Sequence, residues 1–438
     1  MRFMKNKKIK LLLGSLTTLS ATFGTIYSIS HSANFNRDNV ATSSLDTDID
    51  TFKLTSSVSN GDGIDVFSQF VSGTNIGGSV RYQTLQYKKD GDPAEKSYVI
   101  ITGSENVTGS TISFNSEVVL AGKSYKLLGI GDSAFANNTV ISGAISLPEG
   151  LTSIGGGAFY GCTGITSVTL PKTLKSIGTH AFYQCTNLTG TIALGSSKVS
   201  LIGDYAFKST KITALTLPDK LDLIGKQAFY SCTNLAGDIQ IGASKIGDSA
   251  FEGCNRIRGL DLNNAKEIGK RAFYGCTAAT SQLSLPDIEK IGESAFYNCS
   301  GLTSLKITSS KLTEISNEAF YNCSGLTGEI DLACFDSGAP TTKITKIGES
   351  AFSGCSKITK VILPNKLETI GKSAFYNCTS LVTVTSNSTG TDLYFPSGLK
   401  TISAKAFENC SKLKGKVFIP NSVTRIKELA FKGQITWN

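Results

Sequence analysis

The chain has 438 residues, 40% hydrophobic and 18% charged, a balance that excludes a disordered chain and allows a sizeable core. Its two histidines, His31 and His180, leave almost nothing from which to build a His-based zinc site or a Ser-His-Asp triad. The formal charge of +9 falls to about +4 once the five basic residues of positions 1–33 are set aside, too mild to point to nucleic acid.

Residues 1–33 have the order of an export signal. Arg2, Lys5, Lys7, Lys8 and Lys10 form a basic start with no acid, an apolar run extends from Leu11 to Ile29, and small residues arrive at Ser30, Ser32 and Ala33. The segment is either a cleaved signal peptide or a retained N-terminal membrane anchor, since the run approaches spanning length. No later run has that length, so the remainder is expected outside the membrane, extracellular or on the cell surface. Residues 34–62, rich in Ser, Thr, Asp and Asn, read as a linker.

Residues 63–124 alternate as strands. VRYQTLQYKKDGDPAEKSYVII (80–101) gives two strands around a turn at Asp90-Gly91-Asp92-Pro93, and TISFNSEVVLAGKSYKLLGIG (111–131) continues as strands into the repetitive segment beyond. A stacked array needs its first apolar layer covered, so this region is expected to be an N-terminal β cap. Asp90, Asp92 and Glu95 are the best material for a carboxylate enzyme here, but they read as a turn, and no enzymatic activity is expected.

From residue 125 to 432 the chain repeats. IGESAFYNC (291–299) returns as IGESAFSGC (347–355), and aligning on Ala-Phe gives thirteen copies, from Phe135 to Phe431. Most spacings are 22 to 25 residues and two are 32, the period of a solenoid. Ile stands five residues before every Phe and Ala one before; Gly comes after the Ile in ten copies. A fixed apolar residue is a core stripe, the Ala suits a tight bend, and the Gly marks either a cramped turn or a positive φ. Alternating segments such as SVTLP (167–171) and KVILP (360–364) read as short strands, closed by Pro. A brief helical or turn segment is expected around Ala-Phe. Strands stacked about 4.8 Å apart make twelve steps on the order of 60 Å. Residues 433–438 form a tail.

Ten of the eleven cysteines fall three residues after the Phe: Cys162, Cys185, Cys232, Cys254, Cys276, Cys299, Cys323, Cys355, Cys378 and Cys410. Stacked copies would hold their Cβ vectors parallel, too far apart for the roughly 3.8 Å a disulfide prefers. Parallel columns do not converge on a metal either. A ladder of reduced structural thiols is expected, with no catalytic residue, metal or cofactor. Cys334 alone is out of register.

The pattern L-x-x-[IV]-x-[LI]-P-x-x-[LV]-x-x-I-G-x-x-A-F-x-x-C, matched nearly column for column by ITSVTLPKTLKSIGTHAFYQC (165–185), resembles the BspA-like, or Treponema-type, leucine-rich repeat. The resemblance covers roughly 70% of the chain. It implies a right-handed leucine-rich repeat solenoid of about 13 repeats on a bacterial or protist surface. Some members of that family bind matrix proteins, other cells or other bacteria.

A ligand would use the outward strand positions. Middle repeats place Asp238, Gln240, Asp261, Gln282 and Ser284 there. Late repeats place Lys360 with Ile362, Asp392 with Tyr394, and Lys416 with Phe418, aromatic and cationic types suited to hot spots. Residues 396–438 hold eight basic and two acidic residues. Tyr comes directly after the Phe in seven copies, a column that either seals the coil edge or offers a sticky stripe. The expected partner is an extracellular protein or glycoprotein. A self-associating surface coat and a glycan-binding solenoid are the alternatives.

Overall fold

A computed structural model describes residues 52–53, 65–67, 77–87, 96–120, 122–280, 282–336, 339–340, 342–386 and 392–431, all within the compact unit Ile49–Asn438. The expected export segment, nearly all of the linker, Asp90, Asp92, Glu95 and residues 433–438 lie outside the described residues. Among those described, no helix is long and apolar enough to cross a membrane.

Each coil contributes two parallel strands and one corner. The longer strand is the Leu-rich alternating segment, such as Ile165–Thr169; the shorter is two residues ending on the repeat's Ile, such as Ser176–Ile177. Short strands stack in register, Ile154 beside Ile177 and Ile177 beside Ile202, in one continuous column to Lys290–Ile291. The column resumes at Glu314–Ile315. At that break Ser316 stands where ten of the coils have Gly, and its hydroxyl donates to the Ile291 carbonyl at 2.6 Å.

The corner is built from turns, not helix. The Phe N–H of one coil donates to the Ala carbonyl of the next, as in Phe135 to Ala158 and Phe229 to Ala250, both at 2.8 Å. The rings keep the same register. Phe135 to Phe431 stack in an unbroken series with centroids 5.1–5.5 Å apart and planes within 11°. Those separations lie in the offset-stacking range. Phe114 closes the first ring edge-on at 5.6 Å, and Phe395 lies edge-on to the last two.

Two left-handed residues flank each Ala-Phe. The position two before Phe has positive φ in all thirteen coils, from Ser133 at 55° to Leu429 at 57°. The position two after it does so in every described coil, from Asn137 at 59° to Asn409 at 64°. The repeat Gly is not one of these positions. Its role is close approach: a Cβ on Gly178 would lie 2.6 Å from the Gly155 carbonyl carbon, and one on Gly203 2.5 Å from Thr179 N. Of the two readings of that glycine, the cramped turn is correct.

The strand Lys96–Ser113 stands in for a coil that precedes the first. It pairs in parallel with both Lys123–Ile130 and Ile141–Ser146. Ile101 accepts the Gly131 N–H, as the Ile of a previous coil would, and Val107 accepts a bond from the Asn138 carboxamide. Gly77–Tyr87 then pairs antiparallel on its far side.

Two substitution pairs test this account by urea denaturation. Phe273→Ala in the middle of the stack is expected to destabilise by about 3–5 kcal/mol, and Phe431→Ala at its end by clearly less. Gly203→Ala should cost about 1–3 kcal/mol through overpacking. Gly190→Ala meets nothing within 4 Å and has only its φ of 77° against it, so about 1 kcal/mol is expected.

Candidate functional site

The cysteine column is scaffold. All ten in-register thiols are buried and free, and each donates from Sγ to the Phe carbonyl of the preceding coil at 3.0–3.4 Å. Thr210 holds the same column position but donates to the Phe207 carbonyl of its own coil, at 2.8 Å. Burial pushes Cys162, Cys232, Cys299 and Cys355 up to about 12. It also raises Cys185, Cys254, Cys276, Cys323 and Cys378 well above the ordinary thiol range. A thiol that stays protonated is neither nucleophile nor metal ligand.

The outward strand positions form two rows running coil to coil. Lys360 pairs in register with Thr383, while Ile362, Thr385, Tyr394 and Phe418 succeed one another across three consecutive strand pairs. Tyr394 and Phe418 stack at 4.4 Å with planes 1° apart, and Phe418 is 43% exposed. Lys416, beside Phe418, is exposed, as are Lys412 and Lys414; Asp392 lies half-buried against Gly415. Asp392, Tyr394, Lys416 and Phe418 therefore come together at the C-terminal end of the strand face.

Lys360 and Ile362 do not join them. Thr383 and Thr385, both buried, stand between. Lys360 is engaged by Glu329 at 3.0 Å. Ile362 is a correction: expected outward, it is only 2% exposed. Its strand neighbours are Asp331 and the fully buried Thr385, and Leu332 and Leu363 beside this row are buried as well. Packing between neighbouring coils overrides the alternation at that position.

The tyrosine column is half-buried throughout. Tyr274, Tyr297 and Tyr321 stack at 4.6 and 4.5 Å. Where Lys208 replaces Tyr, its ammonium lies 4.7 Å over Tyr230, 5.2 Å over Tyr205 and 5.7 Å over Tyr183. Where Glu252 replaces Tyr, Arg271 binds it through Nε at 3.0 Å and covers the Tyr274 ring. The rings turn their faces to one another and seal the edge.

The sequence names Asp238, Gln240, Asp261, Gln282 and Ser284 as outward residues of the middle coils but favours the last coils for the site. In the middle coils the strand face carries two open depressions, of about 500 and 740 Å³, that share Gln282 as a lining residue.

The profile of the BspA type leucine rich repeat region matches residues 123–236, 237–334 and 334–434. The chain belongs to that family. Among solved structures, a leucine rich cell surface protein from Faecalibacterium prausnitzii is 21% identical, covering 85% of this chain and 95% of that one, with a TM-score of 0.42. A leucine-rich repeat protein from Bacteroides ovatus is 24% identical, covering 82% and 98%, with a TM-score of 0.40. A leucine rich repeat protein of T. pallidum is 28% identical, covering 43% and 83%, with a TM-score of 0.36. No match is found among curated proteins. The BspA-type family assignment accounts for the coil geometry and suggests a protein-binding role.

The thiol ladder is open to a direct check. At pH 8, a small alkylating reagent should label only Cys334, half-buried and outside the column, until the chain is unfolded; all eleven thiols should then react. Rapid native labelling at Cys276 or Cys299 would contradict the ladder.

Proposed function

We propose that this chain is an exported, non-enzymatic surface or secreted protein that binds an extracellular protein or glycoprotein through the C-terminal end of its strand face. The observation that carries this reading is the Tyr394–Phe418 stack, whose outer ring is exposed beside Lys416. An aromatic anchor with an adjacent cation is the composition of binding hot spots, and it offers a cation–π and charge-assisted contact at one place. The basic-start, apolar-run pattern of residues 1–33 supports export.

One observation favours the surface-coat reading as a rival. Among the described residues, the last coil leaves Ile426 41% and Leu429 43% exposed, and its strands Val417–Phe418 and Arg425–Ile426 are the last of their sheets. A sheet edge with apolar side chains invites pairing with another chain.

The test is saturable binding of the full chain to immobilised matrix glycoproteins and whole cells across a salt series. Changing Tyr394, Lys416 and Phe418 together to Ser should weaken binding at least about 30-fold, the loss of one hot spot of about 2 kcal/mol. Undiminished binding by this variant would move the site elsewhere. Absence of binding, with concentration-dependent growth in sedimentation velocity, would favour the coat.

A further inference from the structure

The strand face changes character at Asp238. In earlier coils its outward positions hold short side chains such as Ala144, Ser167, Thr191 and Ala193. From Asp238 onward, longer polar groups rise from the strands and enclose the two depressions. Gln282 lines both, so they adjoin along the direction of coil stacking. A Cβ at residue 259 would lie 2.8 Å from Asp238 Oδ1; the glycine there lets Asp238 lie across the floor. At the far end Asp331 Oδ1 accepts the N–H groups of Ala333 and Cys334, both at 2.9 Å, and fixes the turn into the inserted segment. The Glu329–Lys360 pair stands beside it.

The lining decides the class of ligand. Carboxylates at Asp238, Asp261, Glu329 and Asp331, carboxamides at Gln240, Asn263 and Gln282, hydroxyls, and the ammonium of Lys306 share the walls, with Glu329 held by Lys360. Among the described residues lining it, none is aromatic, so a protein partner finds no anchor of the hot-spot type. The excess of carboxylates over ammonium groups repels a polyanion, and with Glu329 paired to Lys360 and Asp331 bonded to its own turn, a polycation is left only Asp238 and Asp261. The openness and polarity do not suit an apolar cofactor, which needs an enclosed apolar pocket. A sugar hydroxyl both donates and accepts, so it can donate to a carboxylate and accept from a carboxamide or ammonium. Outward groups recur once per coil, at about the 4.8 Å strand spacing, a step comparable with one pyranose of an extended glycan.

We infer that this trough, lying across the strands from Ala236–Gln240 to Thr327–Asp331, binds an uncharged linear oligosaccharide along the axis of coil stacking. The inference stands apart from the C-terminal aromatic patch and does not depend on it.

Isothermal titration of the full chain with unbranched neutral hexasaccharides tests it, using β-1,4-glucan, α-1,4-glucan and β-1,4-mannan, with hexalysine as the rival probe. At least one hexasaccharide should bind saturably, more tightly than its disaccharide and independently of salt. Gln282→Ala, which touches both depressions, should weaken it about tenfold, the loss of roughly one well-made hydrogen bond. Asp261→Asn should also weaken it. The Tyr394, Lys416 and Phe418 triple variant should bind the sugar unchanged, which separates this site from the protein-binding one. Thermal unfolding of each variant checks that it is folded. Failure of all three hexasaccharides at millimolar concentration would overturn the proposal. So would wild-type affinity in folded Gln282→Ala, or salt-sensitive binding of hexalysine alone, which would assign the trough to a basic peptide.

Discussion

In-register stacking governs this molecule: every residue of a coil meets its own counterpart in the next, one strand spacing away. Only residue types that tolerate their own copy at that distance can occupy a column. Phe can, because offset rings attract, and the ladder from Phe135 to Phe431 is the result. Cys can, because the thiol finds the carbonyl of the coil before it. Charge cannot, because like charges on neighbouring strands repel. The short-strand column answers by alternating: Lys245 pairs with Glu267, Glu267 with Lys290, and Glu314 with Lys346. Lys245–Glu267 and Lys346–Glu314 meet at 3.0 and 3.3 Å, each exposed and individually worth little. Their value is that the column does not repel itself.

Much of this was legible because a repeat prints each buried column many times. Ile, Ala, Phe and Cys stood out, and with them the solenoid and the reduced thiols. The left-handed pair around Ala-Phe was only half legible. Two residues after Phe the described coils carry mostly Asn or Gly, as at Asn298 and Gly275, the residues that accept positive φ most easily. Two residues before it stand His180, Tyr205, Arg271 and Leu429, which give no such sign. There the inter-coil hydrogen bonds impose the conformation against local preference.

The site was less legible than the scaffold, for a physical reason. Alternation assigns a side chain to a face but says nothing of what else covers that face. Ile362 reads as outward and is buried, because it lies in register between Asp331 and the fully buried Thr385 of the neighbouring coils. The trough was half legible: Asp238, Asp261 and Gln282 read as outward residues of the middle repeats, but they and Lys306 come from four different coils, and only stacking makes them walls of two adjoining depressions. Tyr394 and Phe418 were readable as aromatics on the right face, but their stacking across the second long repeat was not.

The backbone bonds that join coils, from Gly155 to Ile130 and from Phe135 to Ala158 among many, point from one coil to the next. A tether pulling on the two ends would therefore load them lengthwise, one row after another, in the manner of a zipper. Each coil opened would release its 22 to 25 residues of slack, or 32 in the two long coils, while its neighbours stayed folded. Stretched in this way, such a chain would lengthen in small steps and dissipate work at each.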